Sequence, residues 1–238
     1  NLIPNCVTYD PTYAYELTVI IQDGLHRMYD LKENKFYYIT VMNENYHQPD
    51  MPVGCEAGII KGMYLLKEIK SKAKKRVQLL GSGTILREVE AAAEILAEEF
   101  NIGADVWSAT SFNELGRDAQ DASRWNMLHP EATPKQSYVE QCLSGHAGPV
   151  IAATDYVKAF AEQIREFVPS TYKVLGTDGY GRSDSREKLR EFFEVNRYYI
   201  VVAALKALSE DGIIKVTEVS RAIKKFNIDS DKPNPVHL

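Results

Sequence analysis

Side chains able to bind an anion are concentrated in one short stretch, LGTDGYGRSDSREKLREFFEVN, which runs from Leu175 to Asn196. Its glycines allow tight turns or a close approach of the backbone to a ligand. Ser183 or Ser185 can cap the helix predicted to follow. Arg182 and Arg186 lie at the start of that helix, where a guanidinium can hold a phosphate or carboxylate at two points. The pattern indicates either an anion site or a contact with another subunit.

The same stretch also contains the carboxylates that would make it a self-contained loop. Arg182 and Arg186 could pair with acidic side chains of the stretch itself, namely Asp178, Asp184 and Glu187. It lacks the lysine and hydroxyl of a phosphate-binding P-loop. The internally paired loop is the preferred interpretation, and anion binding remains the alternative.

A second glycine-rich turn, Gly81–Ser82–Gly83, follows a predicted strand and precedes a helix, where a dinucleotide pyrophosphate would bind. Leu86 occupies the third glycine position of that motif, and the next predicted strand ends without an acidic residue. The sequence therefore favours a tight turn over the site of a nucleotide-dependent oxidoreductase.

The remaining titratable groups do not form a catalytic constellation. The five histidines are scattered, and only His47, in a linker after a predicted strand, is a candidate for ligand binding between domains. The glutamates of one helix (Glu88, Glu90, Glu94, Glu98, Glu99) indicate a solvated face. Cys6, Cys55 and Cys142 lack metal-ligand spacing, and we expect free thiols in a reducing cytoplasm.

Composition excludes two classes of partner. The chain of 238 residues has a formal net charge of -5, so it lacks the basic footprint of a nucleic-acid-binding protein. It contains no run of about 18 apolar residues, so we expect no membrane span. It begins without Met, and we therefore expect a piece of a longer polypeptide.

The elements that must position these residues follow from hydrophobic periodicity. Residues 13–29 are predicted as a helix and 36–42 as a buried strand, followed by a linker with a domain boundary near 49–54. Beyond it, predicted strands at 76–80, 104–110, 149–155 and 171–176 alternate with helices. This alternation is typical of an α/β fold, a three-layer sandwich with a mostly parallel, mixed sheet.

Four segments carry a family resemblance: YYITVMNENYHQP, VQLLGSGTILREVEAAAEIL, SATSFNELGRDAQDASRWNMLHP and VLGTDGYGRSDSREKLREFFEV. Together they resemble the carboxy-terminal end of homodimeric, bacterial-type pyruvate dehydrogenases, the thiamine-diphosphate-dependent first components of their complex. More loosely, the chain is similar to the last domain of transketolases. The resemblance covers nearly the whole sequence, and it implies the transketolase-like version of the predicted fold.

The resemblance implies two domains: residues 1–48 as the end of the middle, pyrimidine-binding domain, and residues 49–238 as the carboxy-terminal domain. It places thiamine diphosphate and Mg²⁺ in the full-length enzyme, with neither bound to this piece. Catalytic and metal-binding residues would then lie outside the chain. The implied partners are the remaining domains of the enzyme, a homodimer partner and the acetyltransferase core of the complex.

One comparison within the resemblance concerns the substrate. Transketolases carry Arg-Gln-Asn where this chain has Asn43-Glu44-Asn45, and that arginine binds the phosphate group of a sugar phosphate. Without the guanidinium, and with Glu44 nearby, a phosphorylated sugar is disfavoured and a small keto acid such as pyruvate fits better. Asn43, Glu44 and His47 are therefore the candidate substrate-side or interdomain residues. The alternative function is a freestanding regulatory or assembly module that binds a small anion at the strand ends.

Overall fold

Strands and helices alternate along most of the chain, as the sequence predicts. The structure is a computed structural model that describes residues 3–238; Asn1 and Leu2, the start of the predicted middle-domain segment, lie outside the described residues. In chain order the elements are β1 (Cys6–Tyr9), α1 (Ala14–Leu25), β2 (Phe36–Ile39), α2 (Glu56–Lys61), β3 (Tyr64–Ile69), β4 (Arg76–Gly81), α3 (Leu86–Phe100), β5 (Gly103–Ser108), α4 (Phe112–Leu128), α5 (Tyr138–Leu143), β6 (Val150–Ala153), α6 (Ala159–Glu162), β7 (Tyr172–Leu175), α7 (Arg186–Phe192), α8 (Arg197–Glu210) and α9 (Val216–Lys225).

The main sheet has five strands in the order β3-β5-β4-β6-β7. Strands β4, β5, β6 and β7 run parallel, and β3 pairs with β5 in the antiparallel sense. The mixed, mostly parallel sheet predicted from the sequence is thereby confirmed. Strand β4 connects to β5 on one side, whereas β6 lies on its other side, so the chain changes direction between β4 and β6. In open α/β sheets this switch point, at the carboxyl ends of the strands, is where ligands bind.

Helices cover both faces of the sheet, which makes the three layers of the predicted sandwich. Along β4, Val77 and Leu79 point to a core shared with α3, α8 and α9. Leu80 points to a second core, on the face covered by α4, α5 and α6. This alternation follows from the two-residue period of a strand, and burial of both faces explains why the strand reads as an almost continuous apolar run.

The amino-terminal segment has a small parallel sheet of its own, in which β1 pairs with β2. It joins the larger body through backbone hydrogen bonds from Asp10 N to Thr110 O, at 2.7 Å, and from Gly83 N to Asp10 O, at 3.0 Å. It also contributes Glu16, a fully buried carboxylate that accepts a hydrogen bond from Ser108 Oγ at 2.6 Å. The segment is therefore fixed to the large sheet by polar contacts as well as by apolar packing.

Some sequence predictions fail at the level of single elements. The predicted buried strand over 36–42 is β2, but Phe36 and Tyr38 are exposed, because only the opposite face, with Tyr37 and Ile39, packs on the core. Strands β1 and β3 and helices α2 and α5 were not predicted from the sequence.

One predicted helix also differs from the observed structure. The helix predicted after β6 is only the short α6 followed by a 3₁₀ turn, Arg165–Phe167. Among residues 3–238, no helix combines the length and apolar character that crossing a membrane requires.

Candidate functional site

Predicted site residues from two distant segments meet in one cavity. The linker after β2 carries Asn43 and Glu44 across the carboxyl end of the main sheet, where they face Arg182 and Arg186 from the loop and helix after β7. The cavity has a volume of about 390 Å³. Thr84 follows β4 and Asp155 follows β6, so the cavity lies at the switch point of the sheet. Its lining comprises Val41, Met42, Asn43, Glu44, Thr84, Asp155, Thr177, Gly181, Arg182, Arg186, Leu189, Arg190, Phe193 and Val195.

Three arginines surround the carboxylate of Glu44. Arg87 donates from Nη1 to Oε1 at 2.8 Å, and Arg186 Nε and Arg190 Nη2 each lie 3.6 Å from Oε2. The hydrogen bond from Arg87 and the charges of all three arginines lower the pKa of Glu44, although partial burial opposes them. Oε2 is buried and accepts no hydrogen bond from the described residues. Glu44 is therefore an ionised anchor that ties the linker to α3 and α7.

Arg182 and Arg186 do not pair with Asp178, Asp184 or Glu187, which contradicts the preferred interpretation of that loop. Arg186 donates to Asn43 Oδ1 at 2.6 Å, across 143 residues of sequence. Arg182 lies over the Phe192 ring, 5.5 Å from its centroid. Asp178 accepts a hydrogen bond from the backbone N of Lys158 at 2.8 Å instead. The hydrogen-bond partners of Arg186 and Asp178 come from other segments because the loop crosses the strand ends, where linker and crossover connections converge.

The cap of α7 is as predicted. The Ser185 hydroxyl accepts a hydrogen bond from the backbone N of Lys188 at 3.4 Å, so the second of the two proposed serines caps this helix.

Glu88 corrects the prediction of a fully solvated glutamate stripe. Its side chain is 7% exposed and binds Arg197 and Arg190, while Glu94 on the same helix is 61% exposed. Burial disfavours ionisation of Glu88, but the hydrogen bonds from Arg197 and the charges of Arg197 and Arg190 together lower the pKa of this carboxyl. Arg190 also donates to Thr84 Oγ1 at 2.7 Å. It therefore connects α7, in the cavity wall, to the turn that precedes α3.

The other predicted candidates lie apart from this cavity or serve the fold. His47 is exposed and does not line it. In the Gly81–Gly83 turn, Gly83 N donates to Asp10 O, and Gly83 O accepts from Thr12 Oγ1 at 2.7 Å. These backbone groups are already used, which favours the tight turn over a pyrophosphate site. Within residues 3–238, no cluster of three or more His, Cys, Asp or Glu side chains is arranged to hold a metal ion.

Four residues that build the site were not predicted from the sequence: Thr84, Arg87, Asp155 and Arg190. Asp155 ends one predicted strand and Thr84 lies four residues after another, and that position was the available signal. It becomes informative only once β4 and β6 are known to be neighbours. Arg87 and Arg190 lie on helices at positions that carry no distinguishing pattern.

Comparison with known families and curated proteins divides the chain into two matches. Residues 62–196 match the transketolase-like TK C-terminal domain, and residues 1–49 match the pyruvate dehydrogenase E1 component middle domain. A pyruvate dehydrogenase E1 component of Pseudomonas aeruginosa is 65% identical over 237 residues, which are 99% of this chain and 27% of that protein. The corresponding protein of Escherichia coli K12 is 59% identical over 235 residues, 98% of this chain and 26% of the relative. The chain thus spans about a quarter of the length of these relatives.

Solved structures show the same fold at low sequence identity. A transketolase from Campylobacter jejuni superposes with a TM-score of 0.57 at 20% identity, covering 85% of this chain and 26% of that one. A split-gene transketolase, described as an inactive beta4 tetramer, gives a TM-score of 0.51 at 19% identity, covering 87% and 58%. At this identity the likeness concerns the fold alone.

Proposed function

Because this chain belongs to the family of transketolase-like C-terminal domains, we propose that it forms the carboxy-terminal part of a pyruvate dehydrogenase E1 component. In this proposal residues 1–48 end the middle domain and residues 49–238 form the carboxy-terminal domain. The whole enzyme would decarboxylate pyruvate oxidatively and pass the acyl group to lipoyl groups. It would act as a cytoplasmic homodimer bound to an acetyltransferase core.

The observation that carries this proposal is the small parallel sheet of the amino-terminal segment. Parallel sheets are almost always covered on both faces. Here Phe36 and Tyr38 of β2 are 45% and 60% exposed, and Ile21 and Leu25 of α1 are 45% and 50% exposed. An apolar strand and helix surface of this kind suits the edge of a larger domain, which further polypeptide of the same enzyme would cover.

The cofactor belongs, in this proposal, to that further polypeptide. Mg²⁺ is typically held by one or two carboxylates together with phosphate oxygens, and the proposal assigns no residue of this chain to it. Thiamine diphosphate supplies the carbanion-stabilising chemistry when bound. The residues of this chain support the fold of the carboxy-terminal domain and tie it, through Glu16 and Glu44, to the middle-domain segment. No reaction step is assigned to them.

The substrate proposal rests on Asn43 and Glu44. Neither side chain supplies a guanidinium, and the Glu44 carboxylate occupies the space between Arg87, Arg186 and Arg190. A phosphorylated sugar would find no free bidentate partner at these two residues. Pyruvate therefore fits the proposal better than a sugar phosphate does.

Complementation tests the assignment. The chain is incubated with thiamine diphosphate, Mg²⁺, pyruvate and an artificial electron acceptor, alone or after coexpression with the part of the P. aeruginosa relative that precedes the matched segment. We expect no turnover by the chain alone and measurable pyruvate oxidation by the coexpressed pair. Turnover by the chain alone, or a soluble coexpressed pair without activity, would defeat the proposal.

A further inference from the structure

The cavity at the switch point has the position and dimensions of a small-molecule site. Thr84 and Asp155 stand at the carboxyl ends of the adjacent parallel strands β4 and β6, and Thr177 follows β7. Crevices at this place in open α/β sheets are the usual ligand sites of the architecture. A volume of about 390 Å³ falls within the range of about 300–1,000 Å³ that such pockets occupy.

The guanidinium of Arg182 has hydrogen-bond donors that no other described residue uses. Within residues 3–238, the guanidinium of Arg182 forms no hydrogen bond or ion pair, and its nearest aromatic neighbour is the Phe192 ring at 5.5 Å. Arg186, which also lines the cavity, donates from Nη2 to Asn43 and has Nε 3.6 Å from Glu44 Oε2, which leaves the N–H groups of Nη1 available. A guanidinium carries five donors in a planar fork that suits phosphate and carboxylate oxygens. The pair can therefore receive an anion without breaking an existing contact.

The other polar group available in the cavity is the Asp155 carboxylate. No side chain or backbone N–H of the described residues donates to it, although Thr177 Oγ1 donates to its backbone O at 2.7 Å. Solvent reaches the side chain, but the surrounding protein atoms raise its pKa, with the charge of Arg190 acting in the opposite direction. A ligand hydroxyl can replace water that hydrates this exposed carboxylate and donate a hydrogen bond to it.

Between these polar groups the wall is apolar. Met42, Leu189, Phe193 and Val195 line the cavity and offer contact to a short carbon skeleton. Arg190 is already committed to Thr84, Glu88 and Glu44, so it shapes the wall and does not offer a free donor.

We infer that this cavity binds a small organic anion that also carries a hydroxyl group. The anionic group lies on Arg182 and Arg186, the hydroxyl donates to Asp155, and the carbon skeleton lies against Phe193 and Val195. The anion is a phosphate or a carboxylate, which present the same kind of oxygen to the two arginines. The inference rests on the cavity alone and stands whether or not the function proposed above is correct.

Calorimetric titration of the 238-residue chain tests the inference with four probes. Glycerol 1-phosphate and glycerate carry both groups, propyl phosphate lacks the hydroxyl, and glycerol lacks the anion. We expect saturable binding of glycerol 1-phosphate, glycerate or both. Propyl phosphate and glycerol, which each lack one of the two groups, should bind about tenfold more weakly. The tighter of the first two probes identifies the anion. Absence of saturable binding by both would overturn the inference, as would equal affinity for propyl phosphate and glycerol 1-phosphate.

Three variants locate the binding site. Arg182→Gln and Asp155→Asn should each weaken binding of the tighter probe by about tenfold. Lys188→Gln is the matched control, because it removes one positive charge from α7 at an exposed side chain that does not line this cavity. Circular dichroism verifies that each variant is folded. Unchanged affinity in both Arg182→Gln and Asp155→Asn, or an equal loss in Lys188→Gln, would overturn the inference.

Discussion

Glu88 and Arg197 are joined at three points. Glu88 Oε2 accepts from Arg197 Nε at 2.9 Å and from its backbone N at 3.0 Å, and Oε1 accepts from Nη2 at 3.0 Å. The contact fixes the first turn of α8 onto the first turn of α3, and these two helices cover the same face of the sheet. The bidentate geometry and the burial of Glu88 distinguish this pair from the exposed ion pairs of the chain.

Arg197→Ala should lower the free energy of unfolding by about 2 kcal/mol, because it leaves a buried carboxylate with fewer donors. Arg190, at 3.3 Å from Oε1, limits the loss. Lys206→Ala is the control, since Lys206 forms an exposed i,i+4 pair with Glu210 on the same helix, and such pairs contribute about 0.5 kcal/mol or less. Urea unfolding measures both variants. Equal effects of the two substitutions would show that the Glu88 pair adds nothing to stability.

The same pair predicts a dependence on pH. Burial opposes ionisation of Glu88, yet hydrogen bonds from Arg197 bring its pKa below the ordinary value of 4.5. For an acid whose pKa is lowered on folding, the stabilisation is complete above the unfolded pKa and is lost as the pH falls through the folded pKa. Glu88→Gln should therefore be less stable than the parent chain at pH 7, and the difference should shrink below pH 4.5. A difference in unfolding midpoint that stays constant down to the acid transition would contradict this.

The strands of the large sheet were predictable because their burial is recorded in local sequence. Strands β4, β5 and β6 are mostly apolar and almost wholly buried, and turn residues bound them. Strand β7, at one edge of the sheet, is only partly buried but still contains the aromatic and apolar residues Tyr172, Val174 and Leu175. Strand β3 escaped detection because it lies at the edge of the sheet and contains Lys67 and Glu68, so it lacks a continuous apolar run. Strand β1 is only four residues long, so the alternate burial of Val7 and Tyr9 is too short a pattern to indicate a strand from the sequence.

The candidate site was predictable only as two separate halves. Asn43 and Glu44 were proposed from a family comparison, and Arg182 and Arg186 from the glycine-rich stretch. Their meeting in one cavity depends on strand order and on the path of the linker, which local periodicity does not contain. Glu88 was placed on a solvated face for a related reason: the helical spacing of α3 contains no information about α8, whose start covers the first turn of α3.

Gly148 is required by a close backbone approach. Its φ is +96°, and a Cβ at this position would lie 1.9 Å from the backbone O of Arg76, at the start of β4. Gly148→Ala should therefore destabilise the chain by more than about 2 kcal/mol, through left-handed backbone strain together with displacement of the strand. Gly145→Ala, three residues earlier, is the control, because a Cβ there meets nothing within 4 Å. Thermal unfolding of both variants decides the matter, and similar melting temperatures would refute the steric explanation.

Glu16 provides the last prediction, because it joins the amino-terminal segment to the large sheet from a fully buried position. Its carboxyl group accepts hydrogen bonds from four donors: Thr12 N at 2.5 Å, Tyr13 N at 2.9 Å, Tyr64 Oη at 2.7 Å and Ser108 Oγ at 2.6 Å. Burial nevertheless raises its pKa, against the effect of these hydrogen bonds. For an acid whose pKa is raised on folding, stability falls as the pH rises from the unfolded pKa towards the folded pKa.

Two substitutions of Glu16 should therefore act differently. Glu16→Ala leaves several buried donors without an acceptor and should cost about 3 kcal/mol or more. Glu16→Gln keeps the shape, retains an acceptor oxygen and removes the buried charge, and the hydroxyls of Tyr64 and Ser108 can rotate to accept from its amide. It should be much closer to the parent chain in stability, and its relative stability should increase as the pH rises above 4.5, the ordinary pKa of a glutamate. Chemical unfolding of both variants between pH 5 and 8 measures this, and a Glu16→Gln variant that loses stability relative to the parent with rising pH would show that the ionised carboxylate is the form the fold prefers.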